Sequence, residues 1–237
     1  MRKAFTYMEI VLVIVLIAIF AAVLKFANKD DDRLHLATLQ VLEHIRYTQH
    51  LAMSDNKFDP KENRYRNTPG KANAGIGKYN MGWWQIRFQV VGGTNAANGF
   101  VGYSVFSDFD RQGNIDIKNV LNPAINPADG KWLRLYDNCE NCSNDVFLNR
   151  KYGIDDISFS ANCQQAGFSK ITNGNIGAII FDEKGRPFYG ISDDAKKPYE
   201  HKLNTECNIT LKADTGKTAT ISVYPESGYA EILNIEQ

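Results

Sequence analysis

The residues with the most chemistry open to them are four cysteines, all placed after residue 138 of a 237-residue chain. Cys139-Glu140-Asn141-Cys142 is a C-x-x-C, and Cys163 and Cys207 follow singly. Three chemistries compete for them. A thioredoxin-like redox pair needs a βαβ setting with its first Cys at a helix start, whereas this pair sits in an Asn-, Asp- and Ser-rich stretch. A four-cysteine zinc site needs a second close pair, which the sequence lacks. Structural disulfides need an even number of cysteines and an oxidising compartment. The compartment decides, and it is read from the N-terminus.

Asp108-Phe109-Asp110-Arg111-Gln112-Gly113-Asn114-Ile115-Asp116 follows the first nine positions of a calcium loop, with acids at one and three, Gly at six and Ile at eight. The closing bidentate Glu is missing, because position twelve is Asn119. A polar hairpin turn with solvated carboxylates is the preferred reading, with calcium at Asp108, Asp110 and Asp116 as the alternative. No other metal or cofactor is expected. His35, His44 and His50 are not at i, i+4 spacing and read as surface residues. The sequence has no G-x-S-x-G, no H-E-x-x-H and no phosphate-binding Gly loop, so no enzyme is expected. Lys184-Gly185-Arg186 reads as a turn. Lys+Arg and Asp+Glu are equal at 27 each, so no net charge draws the chain toward nucleic acid.

The elements that must position these residues follow from pattern. Leu34, Thr38, Val41, Leu42, Ile45, Thr48 and Ala52 fall at helical spacing, with Arg33, Glu43, Arg46 and Gln49 on other faces. This predicts a helix over 31–55, preceded by the polar junction Asn28 to Asp32. Residues 56–80 are rich in Lys, Asn, Asp, Gly and Pro without periodicity and read as a loop. Aromatic and β-branched content predicts strands at Trp83–Val91, Phe100–Phe106, Lys131–Tyr136, Ile154–Ser160, Ile176–Phe181, Cys207–Ala213, Thr218–Tyr224 and Tyr229–Asn234. Gly92-Gly93, Asp214-Thr215-Gly216 and Pro225-Glu226-Ser227-Gly228 are turn signals, and the last three strands should form a meander. One long N-terminal helix followed by antiparallel strands is α+β.

The N-terminus reads MRKAFTYMEIVLVIVLIAIFAAVLKFANK. Phe5 to Leu24 is 20 residues, which as a helix rises about 30 Å, one bilayer core. Arg2 and Lys3 precede it and leave the start cytoplasmic. A secretory signal peptide would have a longer polar start and a purely apolar centre. Here the polar start is four residues and Glu9 interrupts the apolar run. An ionisable side chain inside a membrane segment is costly and by default functional. Lys3-Ala4-Phe5-Thr6-Tyr7-Met8-Glu9 followed by an aliphatic run resembles the class III signal of type IV pilins and pseudopilins. The resemblance implies cleavage between Ala4 and Phe5, N-methylation of Phe5, and a role for Glu9 in pairing with a neighbouring subunit's terminal amine. Two departures stand out: Ala4 replaces the usual Gly, and Phe26 stands where major pilins carry a helix-breaking Pro. The second favours a straighter helix and a minor subunit.

Trp84-Gln85-Ile86-Arg87-Phe88, Ile180-Phe181-Asp182-Glu183-Lys184-Gly185-Arg186-Pro187 and Ile221-Ser222-Val223-Tyr224 with Ser227-Gly228-Tyr229 are similar to the H-type minor pseudopilins and their type IV pilus counterparts, the GspH/FimT-like branch. The resemblance implies a pilin-like α+β fold, a long transmembrane-plus-amphipathic helix packed on an antiparallel β-sheet domain. Its parts would be a leader at 1–4, a transmembrane helix at 5–27, an amphipathic spine at 28–55 and a periplasmic β-rich domain at 56–237. Loops 56–80 and 107–150 read as insertions. The implied partners are a prepilin peptidase, other pilin or pseudopilin subunits and an inner-membrane assembly platform. The implied location is the bacterial inner membrane, single-pass, with the C-terminal domain periplasmic. In that compartment disulfides are preferred, as Cys139–Cys142 and Cys163–Cys207: Cys207 begins a predicted strand and Cys163 ends one, so a bridge would tie adjacent strand ends. The expected function is a structural subunit of a type II secretion pseudopilus or type IV pilus-like fibre for protein export. The alternative is a competence-type subunit assisting DNA uptake, for which the clustered bases are Lys57 to Lys78, including Lys61, Arg64, Arg66 and Lys71.

Overall fold

The computed structural model describes residues 7–27, 29–55, 79–93, 97–107, 122–164, 177–190, 197 and 199–236. Two helices open the chain, α1 at Tyr7–Ala27 and α2 at Lys29–Ser54. Strands β1 (Trp84–Val91) and β2 (Phe100–Ser107) follow, then a five-residue helix α3 (Leu148–Tyr152). The remaining strands are β3 (Ile154–Phe159), β4 (Gly177–Phe181), β5 (Pro187–Phe188), β6 (Cys207–Ala213), β7 (Thr218–Val223) and β8 (Ala230–Ile235). The fold is α+β with antiparallel sheets. Among the described residues there are two sheets of four strands, ordered β2-β1-β4-β5 and β3-β6-β7-β8.

Helix α2 joins them. Leu34, Ala37, Thr38, Val41, Leu42, Ile45, Thr48 and Ala52 are buried, a stripe at i, i+3, i+4 and i+7 spacing. The stripe contacts β1, β2 and β4 of one sheet and β7 and β8 of the other. Its two threonines hide their hydroxyls inside the helix, Thr38 Oγ1 donating to Leu34 O at 2.7 Å and Thr48 Oγ1 to His44 O at 2.6 Å. Polar side chains on its flanks reach the connections: Gln49 Nε2 donates to Gly185 O and Ser227 O, and Arg46 Nη2 to Ala230 O. Alternation along β1 sends Trp84, Ile86, Phe88 and Val90 to this core. Gln85, Arg87 and Gln89, on the opposite face, are buried too, so β1 is covered on both sides. Beside them Trp83, Ala178, Ile180 and Phe188 form a second small cluster. Tyr199 stacks on Trp83 and carries Arg186 over its ring.

Seven of the eight expected strands are present within a residue or two. Lys131–Tyr136 is not one of them. Leu133 and Leu135 are buried as a strand would bury them, but their N–H groups donate to Ala124 O and to the Ser104 hydroxyl rather than to one neighbouring strand. The stretch 122–147 instead lies along β2 through single bridges, Phe106 to Pro123 and Gly102 to Phe147. The part of the expected insertion 107–150 that is described is therefore packed structure. Helix α3 ends on Gly153, whose φ of 73° is the left-handed conformation that favours glycine.

In α1 the side chains of 7–8 and 10–19 are described. Among the described residues no helix is long and apolar enough to cross a membrane. The large apolar residues from Ile10 to Ile19 stand 38–62% exposed.

Gly102 tests the packing of the 122–147 layer. A Cβ there would collide with the carbonyl oxygen of Val146, backbone that cannot rotate away. Gly102→Ala should lower unfolding stability by about 1–3 kcal/mol or more, read as the urea midpoint. An unchanged midpoint would show that the layer is loosely held.

Candidate functional site

Ala4 and Phe5 lie outside the described residues, and so do Asp108, Asp110 and Asp116 and the basic stretch Lys57 to Lys78. Glu9 falls within α1, but its side chain is also outside them. The cysteines are described, and they form the disulfides Cys139–Cys142 and Cys163–Cys207, the pairs preferred from the sequence. With the thiols paired, they do not form a four-thiolate zinc site. Among the described residues no group of three or more His, Cys, Asp or Glu is placed to hold a metal ion.

The Cys163–Cys207 bridge joins neighbouring strands, since β3 pairs with β6. Cys163 does not itself end β3; it closes the 3-10 turn Ala161–Cys163 that follows. Ser160 completes the joint, its N–H donating to Asn208 O and its Oγ accepting from Asn208 N–H at 2.9 Å each. The Cys139–Cys142 bridge lies in the 122–147 layer, at the wall of a cleft lined by Phe100, Tyr136, Asp137, Glu140 and Arg150.

The sequence reading of His44 is corrected. His35 and His50 are exposed, but His44 is 4% exposed, on the buried face of α2. Its Nδ1 lies 2.6 Å from the Tyr103 hydroxyl and its Nε2 lies 3.1 Å from Gln40 Nε2. The neutral tautomer satisfies both contacts: Gln40 donates to Nε2, Nδ1–H donates to Tyr103, and Tyr103 O–H donates onward to Asp145 O at 3.5 Å. Asp145 in turn accepts from Asn126 Nδ2 at 2.8 Å and pairs with Lys151. Asn126 and Asp129 also hold the Ser143 hydroxyl. This chain of polar groups pins α2, β2, the 122–147 layer and α3 together.

His, Tyr and Asp in a row suggest proton-transfer chemistry, but the burial argues otherwise. Tyr103 is fully buried and His44 nearly so, leaving no room for a substrate against them. The row is a satisfied structural network. Spacing could reveal only the Gln40 contact, four residues away, because Tyr103 lies 59 residues from His44. The one signal in the sequence was that His44 falls between Val41 and Ile45 on the apolar stripe.

The electrostatics agree with a structural role. Burial is the largest influence on His44 and outweighs the pull of Asp145, lowering its pKa from 6.5 to about 4. Burial pushes the Tyr103 hydroxyl well above its ordinary value. Burial also opposes ionisation of Asp145, but hydrogen bonds from Lys151 and Asn126 outweigh it and hold that carboxyl below the usual range.

A pH dependence follows for His44. Below pH 6.5 the unfolded chain takes up a proton that the folded protein refuses until about pH 4. Stability present above 6.5 is thus lost as pH falls toward 4, by up to about 3 kcal/mol at about 1.4 kcal/mol per unit. Against His44→Gln, wild-type urea stability should decline by that amount across the window. A difference between the two proteins that stays constant with pH would contradict the buried neutral imidazole.

Comparison with family models, with curated proteins and with solved structures finds no match to this chain.

Proposed function

We propose that this chain is a structural minor subunit of a type IV pilin-like assembly, processed at Ala4–Phe5, anchored through α1 and displaying the two-sheet domain outside the inner membrane. The observation that carries the reading is the contrast between consecutive helices. Helix α2 buries its apolar stripe against the chain's own sheets. Helix α1 has a sequence of YMEIVLVIVLIAIFAAVLKFA and leaves its apolar side chains exposed from Ile10 to Ile19. Exposed apolar surface costs about 25 cal/mol per Å² in water, so α1 calls for lipid or other helices around it. In the sequence, Phe5 to Leu24 is 20 residues, which as a helix would rise about 30 Å, the thickness of a bilayer core. The two disulfides are in keeping with an exported domain.

Glu9 gives that anchor its chemistry. A carboxylate within an apolar helix is costly alone, and a neighbour's N-terminal ammonium at processed Phe5 would remove much of the cost. Docking then becomes favourable at one axial stagger. The finer assignment, to the GspH/FimT-like branch serving a type II secretion pseudopilus or type IV pilus-like fibre, rests on the sequence motifs of β1, β4 and the β7–β8 turn.

Two measurements test this. Mass spectrometry of the membrane-extracted protein should find a chain beginning with N-methyl-Phe5; a chain beginning at Met1 or near Asn28 would overturn the reading. Glu9→Ala should leave leader removal intact and reduce co-purification with partner subunits by roughly two to four orders of magnitude, since breaking a buried pair costs about 3–5 kcal/mol. Incorporation at the wild-type level would remove Glu9 from the mechanism.

A further inference from the structure

The two disulfides differ in the properties that govern exchange. Cys163–Cys207 closes a sequence separation of 44, and its cysteines are 1% and 0% exposed between the ends of adjacent strands. Cys139–Cys142 closes a separation of 3, so it removes little entropy from the unfolded chain. The backbone around it is held by other means. Trp132 N–H donates to Asn141 O and Ser143 N–H donates to Trp132 O, each at 2.8 Å. Cys142 is 4% exposed, whereas Cys139 is only partly buried. Both line an open cleft of about 390 Å³, within the range of small-ligand sites, roughly 300–1,000 Å³.

We infer that Cys139–Cys142 is a thiol–disulfide exchange site for an external thiol, with Cys139 Sγ as the sulfur attacked. The incoming thiolate bonds to Cys139 Sγ as the Cys139–Cys142 bond breaks, and the electron pair leaves on Cys142 Sγ, which takes a proton from water. A second external thiolate then attacks the first thiol's sulfur and releases Cys139 as a thiolate. Two external thiols become one disulfide, and the protein gains two electrons as a dithiol. Cys139 lies in a turn and not at a helix start, so the site accepts exchange rather than driving it as a thioredoxin-like pair would. Asp137 and Glu140 outnumber Arg150 along the cleft, which favours cationic thiols over anionic ones. The inference does not depend on the pilin-like reading.

The test treats the full-length protein in detergent with cysteamine, or with 2-mercaptoethanesulfonate at matched thiolate concentration, followed by acid quench, alkylation and peptide mass spectrometry. The expected result is complete loss of the Cys139–Cys142 bridge while Cys163–Cys207 stays intact. The transient mixed disulfide should sit on Cys139, and cysteamine should react faster. Reduction of both bridges together, of Cys163–Cys207 first, of neither before unfolding, or an adduct on Cys142 would overturn the inference. A faster anionic thiol would overturn the charge preference. As an independent measurement, the double variant Cys139→Ser/Cys142→Ser should melt within about 2 °C of wild type, whereas Cys163→Ser/Cys207→Ser should fall by roughly 5–15 °C. An equal fall, or failure of the first variant to fold, would show that the Cys139–Cys142 bridge is structural.

Discussion

The burial of one stripe of α2 against two sheets is the constraint on which the rest of the domain depends. Among the described residues neither sheet has another helix large enough to cover its inner face; α3 has only five residues. The stripe from Leu34 to Ala52 supplies that cover for both. Small residues at Ala37, Thr38, Thr48 and Ala52 keep the helix surface low, so the bulk of the core comes from the sheets, from Ile86, Phe88, Tyr103, Ile209, Ile221 and Val223. Losing α2 would expose both inner faces at once, which makes the helix and the sheets one cooperative unit.

The polar groups around the stripe serve the same end. Among the described residues of α2, His44 is the one buried ionisable side chain; burial keeps it neutral, and a chain of hydrogen bonds through Tyr103 to Asp145 satisfies its ring. The network is anchored on four separate segments, so it fixes where the 122–147 layer meets the helix. Arg46 and Gln49 do the equivalent on the other flank, Gln49 binding carbonyls of the β4–β5 and β7–β8 turns and Arg46 the first carbonyl of β8. The disulfides divide the remaining work: Cys163–Cys207 locks β3 to β6, while Cys139–Cys142 sits in a layer already held by the Trp132 hydrogen bonds.

What the sequence made legible was local. The stripe on α2 has helical periodicity, the β6–β7–β8 meander is bounded by Gly216 and Gly228 at φ of 87° and 63°, and both cysteine pairs follow from strand ends and proximity. What it hid was set by tertiary partners. The division into two sheets depends on β4 leaving the chain order to pair with β1, which no local pattern encodes. Lys131–Tyr136 alternates like a strand because Leu133 and Leu135 are buried, yet its hydrogen bonds are split between two partners. His44 looked like a surface residue because burial of a histidine depends on acceptors and donors far away in sequence. The short α3 is stabilised by packing of Leu148 and Tyr152 and by its Gly153 cap rather than by propensity.

Consecutive helices differ in their cover: α2 buries its stripe against the chain's own sheets, whereas α1 leaves Ile10 to Ile19 exposed, and the proposed anchor would give α1 an apolar environment. Amide hydrogen exchange of the full-length protein, compared in lipid nanodiscs and in weak detergent near its critical micelle concentration, separates the two directly. Amides of 41–52 should be protected equally in both, to the level of the β1 and β7 amides, because their cover is the chain itself. Amides of 10–24 should be protected in nanodiscs and exchange much faster without lipid. Equal exchange of 10–24 in the two media, or rapid exchange of 41–52 in either, would contradict the account.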